Sequence, residues 1–200
     1  LSDDCGATGT ETVTFTATDA CGNFTTTTAT FTIEDTANPT MDVAASDSTV
    51  ECDGTSDPSG AFAAWLANNG GASASDACSG VTWTNDSTGL SDDCGATGTE
   101  TVTFTATDEC GNATSTTATF TIEDTTNPTM DVAASDSTVE CDGTADPAGA
   151  FAAWLSTNGG ASASDSCSGV TWTNDSTGLS DLCGATGTET VTFTATDECG

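Results

Sequence analysis

The chain contains no lysine, no arginine, no histidine and no tyrosine. Nucleic-acid binding rests on neutralising phosphates with Lys and Arg, so that partner class is excluded. An anionic membrane surface repels such a chain for the same reason. No apolar run approaches the roughly 20 residues that span a bilayer, so no membrane insertion is expected in this segment. No charged-then-apolar leader opens the chain. Without Lys, Lys–Asn isopeptide crosslinks cannot form, and trypsin has no site. Acid–base catalysis has only carboxylates to draw on once cysteines are paired, and no cation clamps a substrate. A paired-carboxylate hydrolase is formally possible. Every such pair would recur in each repeat, which points to repeated length or repeated grip and away from an enzyme.

What is present is acid and sulfur. The 31 Asp plus Glu give a formal net charge of −31. Such a chain expands by self-repulsion unless something strong holds it, and its natural counterions are metal cations, cationic surfaces or a basic partner. Ten cysteines at regular spacing read as a disulfide framework and an oxidising compartment. Zinc fits less well, because there is no His and no Cys-x-x-Cys pair. The cysteines argue for export although no leader opens the sequence, so the expectation is an internal segment of a longer secreted protein.

Leu1, Leu90 and Leu179 begin the same text, a period of 89 residues. Residues 1–89 and 90–178 differ only at 20, 24, 26, 37, 56, 59, 67, 68 and 77, and 179–200 departs from 90–111 only at Leu182. That period is too long for a solenoid unit and suits one small immunoglobulin-like domain. Pro in the Asp-Thr-x-Asn-Pro-Thr stretches at 35–40 and 124–129 marks the boundaries. The expected organisation is the tail of one module at 1–35, a complete module at 36–124, and at 125–200 a module lacking its last strand.

In Thr101–Asp108, Val102, Phe104 and Ala106 alternate with threonines, and in Thr117–Glu123 Ala118, Phe120 and Ile122 do the same. This period of two predicts half-buried antiparallel strands. Val81 and Trp83 predict a third strand, Met41, Val43 and Val50 two short early ones, and Cys110-Gly-Asn112 a turn. Asp57-Pro58, then Phe62, Trp65 and Leu66, closed by Gly70-Gly71, predict a short helix capped by Asp with Pro at its first position. Asp146, Pro147, Phe151, Trp154 and Leu155 repeat it. The fold class expected is all-β: tandem immunoglobulin-like antiparallel sandwiches, stapled by disulfides, with this helix as a lid over one open side.

The text Thr-Glu-Thr-Val-Thr-Phe-Thr-Ala-Thr-Asp-x-Cys-Gly-Asn at 99–112, then Thr-Ala-Thr-Phe-Thr-Ile-Glu-Asp, then Asn-Pro-Thr, resembles the hyalin-repeat (HYR-like) immunoglobulin fold. It is especially similar to repeats of very large surface proteins of Bacteroidota, including repetitive gliding-motility adhesins. The resemblance covers essentially the whole chain and implies an extracellular, cell-surface setting on a bacterium. The chain departs from the general pattern in its helix insert and its lack of basic residues.

Four cysteines per module allow three pairings. In an immunoglobulin-like topology the loops holding Cys78 and Cys110 lie at one end of the sandwich, and Cys52 and Cys94 at the other. The expected pairs are Cys52–Cys94 and Cys78–Cys110, then Cys141–Cys183 and Cys167–Cys199, with Cys5 and Cys21 paired to a preceding module. The rival, Cys94–Cys110 with Cys52–Cys78, stays open. It must bring together cysteines separated by about seven strand residues at ~3.3 Å each, whereas a bridge needs Cα atoms within about 7 Å.

A hard cation such as Ca²⁺ takes six to eight oxygen ligands. Glu34, Asp35 and Asn38 of the linker, with Asp76, Asp108 and Asn112 of the adjoining loops, form the candidate set, and Glu109 lies beside them. A solvated acidic rim is the plain alternative. No Asp-x-Asp-x-Asp-Gly loop is present, so this is not an EF-hand. Thr36, Ser87 and Thr125 sit in Asp-Ser/Thr-x triplets that resemble the O-glycosylation pattern of Bacteroidota. Asn23, Asn85, Asn112 and Asn174 fit N-glycosylation sequons.

Three functional classes compete. The first is a spacer or shaft of modules stacked end to end in a long surface filament. The second is an adhesive array that grips polysaccharide or an abiotic surface weakly at each module. The third is a filament subunit that polymerises by strand donation between copies. Burial of Trp65 and Trp154 favours the shaft, and their exposure in a row favours adhesion.

Overall fold

The computed structural model describes residues 1–2, 4–180 and 184–200. The strands, in chain order, are β1 (Gly9–Thr18), β2 (Phe24–Ile33), β3 (Thr40–Val43), β4 (Ser48–Glu51), β5 (Ser73–Ser75), β6 (Val81–Asn85), β7 (Gly98–Asp108), β8 (Ala113–Glu123), β9 (Thr129–Val132), β10 (Ser162–Ser164), β11 (Val170–Asn174) and β12 (Phe193–Asp197). Two short helices, α1 (Ala61–Ala67) and α2 (Ala150–Ser156), interrupt them. The protein is β-rich, as the alternation predicts. A four-stranded sheet runs in the order β4-β8-β7-β6, and β1-β2, β3-β5, β9-β10 and β11-β12 form two-stranded sheets.

The period-two pattern maps directly onto burial. In β7, Val102, Phe104 and Ala106 are buried, as are Ala118, Phe120 and Ile122 in β8, while the threonines between them face outward. Each large side chain taken from water contributes on the order of 1.5–3 kcal/mol. Nearly the same text in β1 and β2, which departs only at Phe24 and Thr26, is paired in register from Gly9↔Ile33 to Thr18↔Phe24, but its apolar face lies open.

Helix α1 forms where expected, with a different start. Pro58 opens a separate 3₁₀ turn, Pro58–Gly60, and Gly60 at φ 71° is the residue before the helix. Left-handed backbone at that step suits Gly. In the second copy the Asp146 carboxylate still caps, accepting N–H bonds from Phe151 at 2.7 Å and Ala152 at 3.2 Å. The apolar side of α1 faces the core. Trp65 meets Phe104 edge-on at 5.2 Å and Phe120 at 5.5 Å, and Phe62 lies 5.3 Å from Phe120. The Trp65 indole N–H donates to the Ser46 carbonyl at 3.1 Å. In α2, Trp154 repeats the contact with Phe193 at 5.2 Å and donates to Ser135. Both tryptophans are half-buried.

The chain divides into two compact units. The first holds Leu1–Ser48, Gly60–Gly89 and Glu100–Thr121, and the second Thr49–Ser59, Leu90–Thr99 and Ile122–Gly200. Each draws its residues from more than one copy of the repeat. Among the described residues no helix is long and apolar enough to cross a membrane.

Candidate functional site

The pairing of cysteines differs from expectation. The bonds are Cys5–Cys110, Cys52–Cys167 and Cys94–Cys199, with Cα–Cα distances of 5.2, 5.7 and 5.4 Å. Cys21, Cys78 and Cys141 are free. The expected Cys52–Cys94, Cys78–Cys110 and Cys167–Cys199 pairs are therefore corrected, as is the assignment of Cys5 to a preceding module. Of the expected Cys141–Cys183 pair, Cys141 is free and Cys183 lies outside the described residues. The rival Cys94–Cys110 pairing also fails, as strand length requires.

A local turn explains the new arrangement. In the second unit, Cys94–Thr97 closes on itself: the Thr97 N–H and hydroxyl both donate to the Cys94 carbonyl, at 3.0 and 2.7 Å. This turn docks on the loop at Cys167, where the Ala96 N–H donates to the Cys167 carbonyl at 3.1 Å. The approach needs a glycine, because a Cβ on Gly95 would stand 2.5 Å from the Ser168 Cβ and 2.7 Å from the Cys167 oxygen. Cys52 and Cys94 thus meet Cys167 and Cys199 across a junction between successive copies of the repeat. The first unit repeats the geometry. Ala7 N–H donates to the Cys78 carbonyl at 3.1 Å, and a Cβ on Gly6 would lie 2.6 Å from the Ser79 Cβ. The sequence reading missed that these cysteines bond across the junction instead of closing within one copy.

Beside each junction lies a group of carboxylates. In the second unit, Asp124, Asp165 and Asp197 bring one oxygen each within 4.8 Å of the others. Asp197 is buried, and its Oδ1 accepts the N–H groups of Cys199 and Gly200 at 2.8 and 2.6 Å. Asp165 Oδ1 accepts from Cys167 and Ser168. Asp124 Oδ1 accepts from Thr126, but its Oδ2 is buried without a hydrogen-bond partner. In the first unit Asp35, one period earlier, has the same orphaned Oδ2. It groups with Asp76 and Cys78. Asp108 accepts N–H bonds from Cys110 and Asn112 and a second bond from the Asn112 amide, which also donates to the Asp35 carbonyl at 3.2 Å. The charge of Asp35, then burial, then Asp76 and Asp108 push the Cys78 thiol above its ordinary range.

Of the six residues proposed as cation ligands, Asp35, Asp76, Asp108 and Asn112 are thus brought together. Glu34 and Asn38 are exposed, and Glu34 stands outside these groups. Clustered anions with no Lys, Arg or His anywhere in the chain repel one another strongly. Buried carboxylate oxygens need a proton donor or a cation. The Asp124, Asp165 and Asp197 group is hard oxygen alone, which suits Ca²⁺ or a similar ion, whereas the Cys78 thiol stands with Asp35 and Asp76. Of the glycosylation candidates, Thr36 is exposed. Ser87 donates its hydroxyl to Glu100 at 2.7 Å, and Thr125 donates to Glu51 at 2.9 Å.

Sequence reasoning passed over Glu100. Its carboxylate gathers Ser87 Oγ and the N–H groups of Thr88 and Gly89, organising the turn before the next copy, and Glu189 does the same for Ser176, Thr177 and Gly178. The signal was available: a lone carboxylate in a threonine strand, repeated at the period. No family model matches the chain, and no curated protein matches it.

Proposed function

We propose that this chain is a segment of an extracellular structural shaft, in which immunoglobulin-like modules of the HYR-like type follow one another end to end on a bacterial surface. The observation that carries the reading is the set of bonds between copies. Cys5–Cys110 and Cys94–Cys199 have the same separation of 105 residues and stand one period apart. Such bonds resist pulling one repeat from the next, which is a shaft's task. Three disulfides also fit an oxidising compartment. The half-buried tryptophans, packed on core phenylalanines, favour spacer over adhesive array.

The carboxylate groups extend this reading. Asp35, Asp76 and Asp108, and one period on Asp124, Asp165 and Asp197, would hold a divalent cation beside each junction, with Ca²⁺ the best fit to the donor set. The ion would neutralise charge that the chain cannot neutralise itself and stiffen the joint. Small-angle scattering in buffer with calcium tests the shaft directly. An elongated particle that becomes more flexible on adding reductant is expected. A compact globule would overturn the proposal.

A further inference from the structure

The disulfides give tension a route through this protein that is far shorter than the chain itself. Cys5 is bonded to Cys110, and Cys94 to Cys199. Cys94 and Cys110 flank the two ends of β7 (Gly98–Asp108). A pull on Leu1 therefore passes from Cys5 across to Cys110, back along β7 to Cys94, across to Cys199 and out at Gly200. That route has about 21 residue steps, about 16 of them between Cys94 and Cys110, and two bridges with Cα–Cα distances of 5.2 and 5.4 Å. At roughly 3.3–3.6 Å per step its full length is about 80–90 Å, against about 650–700 Å for the same chain without bridges. The third bond, Cys52–Cys167, opens no shorter route.

Much of this route is already drawn out. Eleven of its residues form β7, where each advances about 3.3 Å, close to the limit of the chain. Beside β7, the slack between Cys94 and Cys110 is confined to two short turns. In one the Thr97 hydroxyl donates to the Cys94 carbonyl at 2.7 Å, and in the other the Cys110 N–H donates to Asp108 Oδ1 at 2.8 Å. β7 lies between β8 and β6 in the four-stranded sheet, with Val102, Phe104 and Ala106 buried. A load that enters and leaves at the ends of β7 pulls on neither neighbour, so it does not shear the hydrogen-bond ladders on either side. This matters for a protein with a small core. Small domains are only marginally stable, and a thread whose length depended on its folded sheets would lengthen as they opened.

We infer that β7 and the bonds at its two ends, Cys5–Cys110 and Cys94–Cys199, form a force-carrying line, which makes this chain an inextensible tether whose folded sheets bear no tension. Its purpose rests on the shaft reading, and its course rests on the two bonds alone. Cys52–Cys167 is a reserve line. Without Cys94–Cys199 the shortest route runs from Leu1 to Cys52, across to Cys167 and on to Gly200, about 84 residue steps and about 290 Å. That longer route takes up load only after the first has failed. Stability and strength are thereby separated. All three bonds constrain the unfolded chain, but only two set its length under tension.

The test stretches single molecules of the full chain in optical tweezers, held by peptide tags fused to both ends, in buffer and in concentrated urea. The oxidised protein should stop at about 80–90 Å beyond the tags in both media, with no unfolding step in buffer, and reductant should let it run to about 650–700 Å. Cys52→Ser with Cys167→Ser should stop at the wild-type length although it melts lower. Cys94→Ser with Cys199→Ser should stop near about 290 Å. The urea arm depends on connectivity alone, so the lengths can be read even where a variant folds poorly. Unfolding steps in the oxidised wild type, a stop beyond about 100 Å, or a longer stop for Cys52→Ser with Cys167→Ser would overturn the inference. Unfolding steps in molecules whose three bonds are found intact by mass spectrometry would overturn the force-carrying line and leave the shaft reading standing. A compact particle in scattering would remove the shaft without altering these lengths.

Discussion

Cys52 and Cys167 are 115 residues apart in sequence, and their Cα atoms are 5.7 Å apart. One repeat length lies inside that separation, so the bond ties a loop of one copy to a loop of the next. Cys94–Cys199 ties the same two copies a second time. A protein without internal cations and with a small core is thereby held where successive copies meet.

Breaking a bond of this kind should cost much. Crosslinks closing loops of about 100 residues stabilise by roughly 4–5 kcal/mol in the chain-entropy account, and measured losses run on the order of 2–5 kcal/mol. The double variant Cys94→Ser, Cys199→Ser should lose stability in that range, read by thermal melting of the oxidised protein. An unchanged melt would show that the junction does not depend on its sulfur.

Calcium should raise the melting temperature. A ligand at 100 times its Kd stabilises by about 2.7 kcal/mol, which for a chain of this size is about 5–10 °C. Chelator should reverse the rise. Asp35→Asn with Asp124→Asn should abolish the response, because these residues carry the orphaned Oδ2 atoms. Identical melts with calcium and with chelator would remove the cation from the account.

The two helices should differ in what their tryptophans contribute. Trp65 touches Phe62, Phe104 and Phe120, whereas Trp154 touches Phe151 and Phe193. Large-to-small changes at buried aromatics cost about 3–5 kcal/mol, so half-buried Trp65→Ala should cost about 2–3 kcal/mol. Trp154→Ala should cost less. Denaturant unfolding of both variants checks the order, and a larger loss at Trp154 would contradict the packing described.

Acid should destabilise the protein once repulsion is screened. The Thr125 N–H, with its hydroxyl, holds Glu51 below its ordinary value of 4.5, and the Thr103 N–H holds Asp86 below 3.8. Burial alone would raise Glu100, but bonds from Ser87, Thr88 and Gly89 outweigh it and lower its pKa. A carboxyl with a depressed folded pKa contributes stability above its unfolded pKa and loses it as pH falls through the folded one. In about 1 M salt, where the Debye length is ~3 Å, the melting temperature should be flat above about pH 5 and fall below 4.5. At low salt, neutralising the charge of −31 offsets part of that fall. A melting temperature that rises on acidification in high salt would contradict the assignment.

Much of the fold was legible because the period of two is unbroken where the core is. Val102, Phe104 and Phe120 could be assigned inward from alternation alone, and α1 from the spacing of Phe62, Trp65 and Leu66. The start of α1 was not, because Asp57-Pro58 is a normal helix opening and only backbone geometry reveals the left-handed step at Gly60. Most of the carboxylate site was legible from the linker and its neighbouring loops, as Asp35, Asp76, Asp108 and Asn112 attest. The cysteine pairing was hidden by the repeat itself. Cys94 and Cys183, or Cys110 and Cys199, are the same residue in text, so spacing cannot distinguish a bond within a copy from one between copies. The docking of Gly95 on Ser168 decides it, and that contact is tertiary.

The most direct test is to digest the unreduced protein with a protease that cuts at acidic residues and identify the crosslinked peptides by mass spectrometry. The account predicts Cys5–Cys110, Cys52–Cys167 and Cys94–Cys199. Peptides joined within one copy, Cys52 to Cys94 or Cys78 to Cys110, would contradict it.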